Sequence, residues 1–236
     1  MFVLPTFNLG IVGATPSFQN LNSVQLDGSN DLVRVSHDAS LNISGDFTMS
    51  AWVYFTGTAS GNIMSKRGTT GTPHWQWYID TNNSNKPTWI GSNAAATVAT
   101  TGISTNTWTH LMVLSGGVSV AHYINGTLAG TQNNTLGTAN SNDITIGAVD
   151  YPSNGSPVGN FAGYIDEVSL FDTTSSELIS ALSTSSPGDL TSLNPLGWWR
   201  MGDDDNGTGT TVTDQGSGGN NGTLQNGATF STTVKS

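Results

Sequence analysis

The sequence predicts an all-β protein built as a two-sheet antiparallel sandwich, and three observations lead there. Runs rich in Val, Ile, Thr, Tyr, Phe and Trp recur about every ten residues and alternate apolar with polar positions. Gly, Asn, Asp or Pro bounds these runs, the punctuation of strands joined by tight turns. Ser, Thr, Asn and Gly make up about half of the 236 residues, which favours strands and turns over helix interiors. Seven Trp, eight Phe and five Tyr supply the core that a disordered polar chain would lack.

Taken in order, strands are expected at 23–28 (SVQLDG), 32–36 (LVRVS), 47–55 (FTMSAWVYF), 62–66 (NIMSK), 74–81 (HWQWYIDT), 86–91 (KPTWIG), 107–115 (TWTHLMVLS), 118–124 (VSVAHYI), 127–132 (TLAGTQ), 143–149 (DITIGAV) and 161–171 (FAGYIDEVSLF). In the third, Phe47, Met49, Ala51, Val53 and Phe55 form a core face, and Thr48, Ser50, Trp52 and Tyr54 an amphipathic one. Asp27-Gly28 and Asn125-Gly126 read as hairpin turns, because Gly and Asn adopt positive φ cheaply. One short helix is expected near 174–182: Thr174 and Glu177 have capping-box spacing, and Leu178, Ile179 and Leu182 form an apolar stripe. Four regions follow: an arm or first strand at 1–22, the main sandwich at 23–183, a Ser/Pro-rich linker at 184–194, and a segment at 195–236. That last segment is too short and too poor in apolar residues to fold alone, so it should add strands to the same sandwich.

Composition excludes several function classes. Charged residues are 9 % of the chain, about a third of the usual fraction, which argues against coiled coils and charge-rich tails. Six basic against sixteen acidic residues give a net charge of −10, so no basic surface exists for nucleic acid. With no cysteine there are no disulfides, thiolate zinc sites or thiol nucleophiles. No apolar run is long enough to insert in a membrane as a helix. The amino terminus has no basic region and carries Pro5 and Asn8 within its apolar part, so it reads poorly as a secretory leader.

SVQLDGSNDLVRV, FTMSAWVYF, TWTHLMVLSGG with VAHYINGTLAG, and ITIGAV with FAGYIDEVSLFD together resemble the laminin-G-like, concanavalin A-like jelly-roll domains, in the family's order over residues 23 to 183. The resemblance implies two facing antiparallel sheets of six or seven strands. The tail is similar to the family as well, but from the wrong place: the W-x-hydrophobic-acidic, T-V-T-D and G-N-N-G-T-L elements normally precede the Asp-Gly strand, whereas here Trp199 to Leu224 follow the I-D-E strand. A circular permutation explains this, as does a partial second repeat. Permutation is preferred, because sandwich termini commonly lie close together.

The same fold hosts glycoside hydrolases and lyases, so catalysis must be judged at the site. Retaining hydrolysis needs two carboxylates about 5 Å apart. The chain has only two glutamates, Glu167 and Glu177, and no E-x-D-x-x-E arrangement. The G-x-S-x-G elbow is also absent, and His37, His74, His110 and His122 read as packing residues. No catalytic residue is expected, and the protein is not expected to be an enzyme.

For a structural Ca²⁺, the resemblance points to Asp166 and to Asp27 with Asn30 or Asp31, positions where relatives often hold an ion; an Asx turn at Asp27 and a backbone-paired Asp166 are the alternative. Asp203, Asp204 and Asp205 form a second acidic group, of the kind that usually marks a solvated loop. Glycan binding needs an aromatic platform beside polar groups. In HWQWYIDT the apolar set Trp75, Trp77 and Ile79 should face the core, leaving His74, Gln76 and Tyr78 outward as candidates, with Trp89, Asp150, Tyr151 and Asn154 on rims. The bland alternative is that every Trp is core and the polar face merely wet.

Two functions emerge. The tail looks like laminin-G-like reading frames of marine bacteriophage structural proteins, which implies a non-catalytic virion structural or adhesion protein: a capsid decoration, appendage or fibre component on the virion exterior. Its partners would be other virion proteins or copies of itself, and a host-surface glycan. The alternative is an extracellular glycan-binding lectin module, with a hydrolase or lyase a distant third.

Overall fold

The structure, a computed structural model, describes residues 17–57, 59–68, 73–92, 96–150 and 156–236. The strands are β1 (Ser23–Asp27), β2 (Leu32–Val35), β3 (Phe47–Phe55), β4 (Gly61–Lys66), β5 (Trp75–Asp80), β6 (Lys86–Ile90), β7 (Ala96–Val98), β8 (Trp108–Ser115), β9 (Ser119–Ile124), β10 (Thr127–Asn133), β11 (Ile144–Ile146), β12 (Ala162–Phe171), β13 (Gly197–Trp199), β14 (Thr211–Val212), β15 (Gly222–Gln225) and β16 (Thr229–Ser231), with one helix, α1 (Ser176–Leu182). Sheet I runs β10-β9-β8-β3-β12-β1-β16, with β13 on the far half of β12; sheet II runs β14-β15-β2-β11-β4-β5-β6-β7. All pairings are antiparallel.

The period-2 pattern decides what each sheet turns inward. From sheet I come Val24, Leu26, the five core positions of β3, Leu111, Val113, Ile165, Val168 and Leu170; sheet II meets them with Val33, Val35, Trp75, Trp77, Ile79, Trp89, Ile144 and Ile146. Phe47 of sheet I stacks on Trp89 of sheet II at 5.4 Å, joining the layers directly. Each large side chain removed from water here contributes roughly 1.5–3 kcal/mol.

The C-terminal segment enters both layers. β13 pairs with β12 and β16 with β1 in sheet I, while β15 lies between β14 and β2 in sheet II. Asn125-Gly126 closes the β9–β10 hairpin with φ of +48° and +74°, the left-handed pair that a two-residue hairpin turn requires. The Asp27-Gly28 turn differs from expectation: β1 belongs to sheet I and β2 to sheet II, so it carries the chain between layers. Gly28 has φ of +81°, and a Cβ there would stand 2.9 Å from Ala162 Cβ.

Helix α1 starts one residue later than the Thr174 spacing suggested. Ser175 is extended (φ −154°, ψ 163°) and its hydroxyl accepts from the Leu178 N–H at 3.1 Å, so Ser175 is the N-cap. Leu178 and Leu182 then fall on one side and pack over the outward face of sheet I with Met112, Leu114, Phe171, Leu190 and Trp198. Residues 184–194, expected as a linker, therefore act as a strap, with Leu190 buried and Leu193 packed on the same cluster.

Candidate functional site

Beyond this cover, the outward face of sheet I carries aromatic side chains. Alternation in β3 sends Trp52 and Tyr54 outward, since Ala51, Val53 and Phe55 fill the core. The register then sets Tyr54 opposite Trp108 of β8 on one side and Tyr164 of β12 on the other, with Gln25 of β1 beyond Tyr164. Tyr54 meets Trp108 at 5.8 Å and Tyr164 at 5.7 Å, both edge-on, and Trp108 lies 6.4 Å from Tyr164. All three rings are half-buried. Such edge contacts stabilise aromatic clusters.

Two depressions flank the rings. A groove of about 350 Å³ is lined by Trp52, Trp108, Asn125, Ser183, Thr184, Ser185 and Lys235, and one of about 180 Å³ by Gln25, Asp27, Thr56 and Tyr164 among others. Lys235 Nζ sits 5.9 Å above the Trp52 ring. Across four strands at roughly 4.8 Å spacing, the strip spans on the order of 14 Å.

One row further along lie Asp166, Trp52 and His110, all buried, with Trp52 and His110 beneath the strap. Burial drives the His110 imidazole down to about 4, so it is neutral. Asp166 accepts the Glu167 N–H at 2.8 Å, and burial, with the neighbouring Glu167 charge, holds its carboxyl well above the usual range. Glu167 stands at a β-bulge between Asp166 and Ser169 with φ of +48°, a conformation costly for a non-glycine residue. Its oxygens accept from Trp198 Nε1 at 2.6 Å and Arg200 Nε at 3.1 Å. Burial pushes Glu167 up to about 7 against the opposing pull of Arg200 and Trp198. Arg200 also pairs with Asp203 at 2.7 Å and lies 4.4 Å over Phe18 and 5.4 Å over Trp198. Both glutamate oxygens are thus committed to holding β13 and the 17–21 arm on the sheet. Glu177 is exposed on α1 and bonded to Ser176.

The outward face of sheet II, where the sequence placed its candidates, is built differently. Gln76 and Tyr78 do share that face and are half-buried, but Gln76 Oε1 accepts from Arg67 at 2.6 Å. Asp150 is drawn to the same side as a partner of Arg34, which also binds Asp143 at 2.8 Å. His74 and Trp89 require correction. His74 is buried rather than outward, because it precedes β5 and hydrogen-bonds the Ile43 carbonyl at 2.9 Å; burial lowers it to about 4. Trp89 is fully buried and not on a rim, since it pairs with Trp77 on the inward face. Tyr151 and Asn154 lie outside the described residues.

The four residues named for calcium do not form one site. Asp166 is opposite Trp52 in β12, whereas Asp27 ends β1, roughly 13 Å along that strand by its ~3.3 Å rise per residue. Asp27 makes an Asx turn to Ser29 at 2.7 Å and donates its N–H to Asp31, whose other oxygen is buried without a partner among the described residues. Asn30 is exposed, and its carbonyl accepts from Asn226. Among the described residues no cluster of three or more His, Asp or Glu side chains could hold a metal ion, so a Ca²⁺ at Asp27, Asn30 and Asp31 would draw the rest of its six to eight oxygens from backbone carbonyls and water. Asp203 and Asp205 are not loosely solvated: Asp203 accepts from Leu21 and Asn22 N–H, and Asp205 from Thr213.

The sequence did not single out Tyr54, Trp108 and Tyr164 as a group. Outward aromatics in three separate alternating runs were the available signal.

Residues 27–178 match the profile of the concanavalin A-like lectin/glucanases superfamily. Among solved structures, a candidate carbohydrate-binding protein from Bacteroides ovatus aligns with a TM-score of 0.68 at 19 % identity, over 91 % of this chain and 60 % of its own. The chain therefore spans less than two thirds of that protein. The sialidase CBM40 of Ruminococcus gnavus bound to α2,6-sialyllactose aligns at 0.55 and 13 % identity, over 72 % of this chain and 100 % of its own. A heptameric SAP-like pentraxin from Limulus polyphemus aligns at 0.54 and 15 % identity, over 70 % and 83 %. At these identities the likeness is one of fold. No curated protein sequence matches the chain.

Proposed function

Because the chain belongs to the concanavalin A-like lectin/glucanases superfamily, we propose that it is a non-catalytic glycan-binding protein that holds a short oligosaccharide across the outward face of sheet I. The observation that carries this reading is the half-buried Trp108–Tyr54–Tyr164 cluster, flanked by polar depressions. Aromatic faces receive the C–H side of a sugar ring, while Gln25, Asn125, Ser185 and Lys235 offer hydrogen bonds to hydroxyls. Two of the neighbours in fold are described as carbohydrate-binding, which supports the reading by analogy. The commitment of both Glu167 oxygens to Trp198 and Arg200, and the position of Glu177 on the helix surface, support binding without hydrolysis. A glycan array of the intact chain tests this: binding that disappears in Tyr54→Ala and Trp108→Ala is expected, and blank arrays refute it.

The setting we propose is the exterior of a bacteriophage virion. It rests on the likeness of the GWWRMGDDDNGTGTTVTDQGSGGNNGTLQNGATF tail to laminin-G-like phage structural proteins, and on a cysteine-free, charge-poor surface suited to packing against other virion proteins or copies of itself. The protein should then copurify stoichiometrically with particles; absence from purified particles refutes the setting and leaves an extracellular lectin module.

A further inference from the structure

Beneath the strap lies a pocket of about 130 Å³ whose floor is Ser50, Trp52, His110 and Glu167, roofed by Leu182, Leu190 and the 184–193 segment. Trp52 and Thr184 line both this pocket and the open groove, so the two spaces meet at that pair. Resting on the glycan reading above, we infer that the pocket receives the terminal sugar of the bound glycan, so that the protein recognises a chain end rather than the middle of a polymer.

The chemistry of the floor selects the occupant. Ser50, His110 and Glu167 are only 2 %, 3 % and 4 % exposed, so these are built-in polar groups and not surface side chains. His110 lines the floor with its ring, and its Nδ1, sealed from water with no hydrogen-bond partner among the described residues, gains a partner only if a ligand uncovers it. Ser50 shares its hydroxyl with Ser169 at 2.9 Å and retains capacity for a further bond. The Glu167 oxygens are held by Trp198 and Arg200, so Glu167 gives the floor its acidic character while Ser50 and His110 face the ligand. These groups suit hydroxyl groups, which both donate and accept. No Lys or Arg lines the pocket, while Glu167 and Asp189 do, so an acidic sugar is disfavoured and a neutral one fits. Trp52, Leu182 and Leu190 supply the apolar side that a pyranose C–H face needs. At ~10–15 Å³ for each water held, the volume suits one ring and not a chain.

Ala181 and Ser192 line the pocket from the roof and are otherwise exposed, so Ala181→Phe and Ser192→Phe fill it without entering the core. The probes are methyl glycosides of glucose, galactose, mannose and N-acetylglucosamine, titrated into the intact chain by saturation-transfer NMR, with a glycan array run in parallel. At least one glycoside should bind, and each variant should weaken it tenfold or more while melting within 2–3 °C of the parent. Glycoside binding that survives both variants overturns the inference and leaves the ring cluster as the site. Array binding that depends on Tyr54 without binding of any glycoside has the same meaning. Glycoside binding sensitive to Ala181→Phe beside a blank oligosaccharide array would instead overturn the ring-cluster reading and leave the pocket as a monosaccharide site. Blank results from both overturn both.

Discussion

The outward faces of the two sheets are made by the same alternation, yet only one of them looks like a binding surface. On sheet I the outward row is Gln25, Tyr164, Tyr54 and Trp108, open to solvent and then covered at the next row by α1 and its strap. On sheet II the row is Thr223, Arg34, Thr145, Ser65 and Gln76, in which Ser65 bonds Thr145, Arg34 bonds Asp143 and Gln76 bonds Arg67. Polarity alone therefore does not separate the two faces. Half-buried rings on sheet I separate them from a polar face whose groups are largely paired already.

Each face also has an arginine between two acids, and their difference in burial gives the largest expected contrast. Arg200 with Glu167 and Asp203 is nearly dry, at 12 %, 4 % and 3 % side-chain exposure, whereas Arg34 with Asp143 and Asp150 stands at 24 %, 32 % and 20 %. Arg200→Ala strands a buried carboxylate and should cost about 3–5 kcal/mol in urea unfolding. Asp143→Asn, on the wetter face, should cost under about 1 kcal/mol. Equal costs would break the distinction between a dry arginine cluster and a wet one.

Trp89 gives the next contrast. As a core residue stacked on Phe47, its replacement by Ala should destabilise by about 3–5 kcal/mol. On the outward face, Trp108→Ala should lose clearly less, because its ring is already half in water in the native state.

The pH dependence is smaller and has two signs. His74, His110 and His122 are buried neutral, each lowered to about 4, so unfolding takes up protons and stability falls as pH drops from 6.5 towards 4. Glu167 is raised to about 7, so in its window stability falls as pH rises from 4.5 to 7. Asp166, also raised, acts in the same direction as Glu167, and the three histidines oppose both on the acid side. The melting midpoint should therefore peak between pH 6 and 7, drop steeply below it and decline gently above it. In Glu167→Gln the gentle upper decline should shrink while the acid limb stays, because Asp166 remains; an unchanged decline would show that Glu167 does not carry it.

Much of the fold was legible because the governing signal is local. The nine-residue strand 47–55 and its two faces follow from alternation alone, and the Asn125-Gly126 hairpin from one dipeptide. The candidate site was less legible, because it depends on register between strands distant in sequence. Nothing local says that Tyr54 meets both Trp108 and Tyr164, or that Trp89 aligns with Trp77 and so turns inward. His74 was misplaced because alternation was carried one residue past the start of β5, where a hydrogen bond to Ile43 governs instead. Asp27-Gly28 has the turn chemistry of a hairpin but joins two layers, a choice made by which strands pair.

The most direct test of the central claim is a calorimetric titration of the strongest oligosaccharide from the array against the parent chain, Tyr54→Ala and Tyr78→Ala. Loss of a central aromatic contact should weaken binding about 30-fold, near 2 kcal/mol, in Tyr54→Ala. Tyr78→Ala on the opposite face should stay within about twofold of the parent, a difference under about 0.5 kcal/mol. A loss confined to Tyr78→Ala, with Tyr54→Ala unchanged, would contradict the account and move the glycan to sheet II.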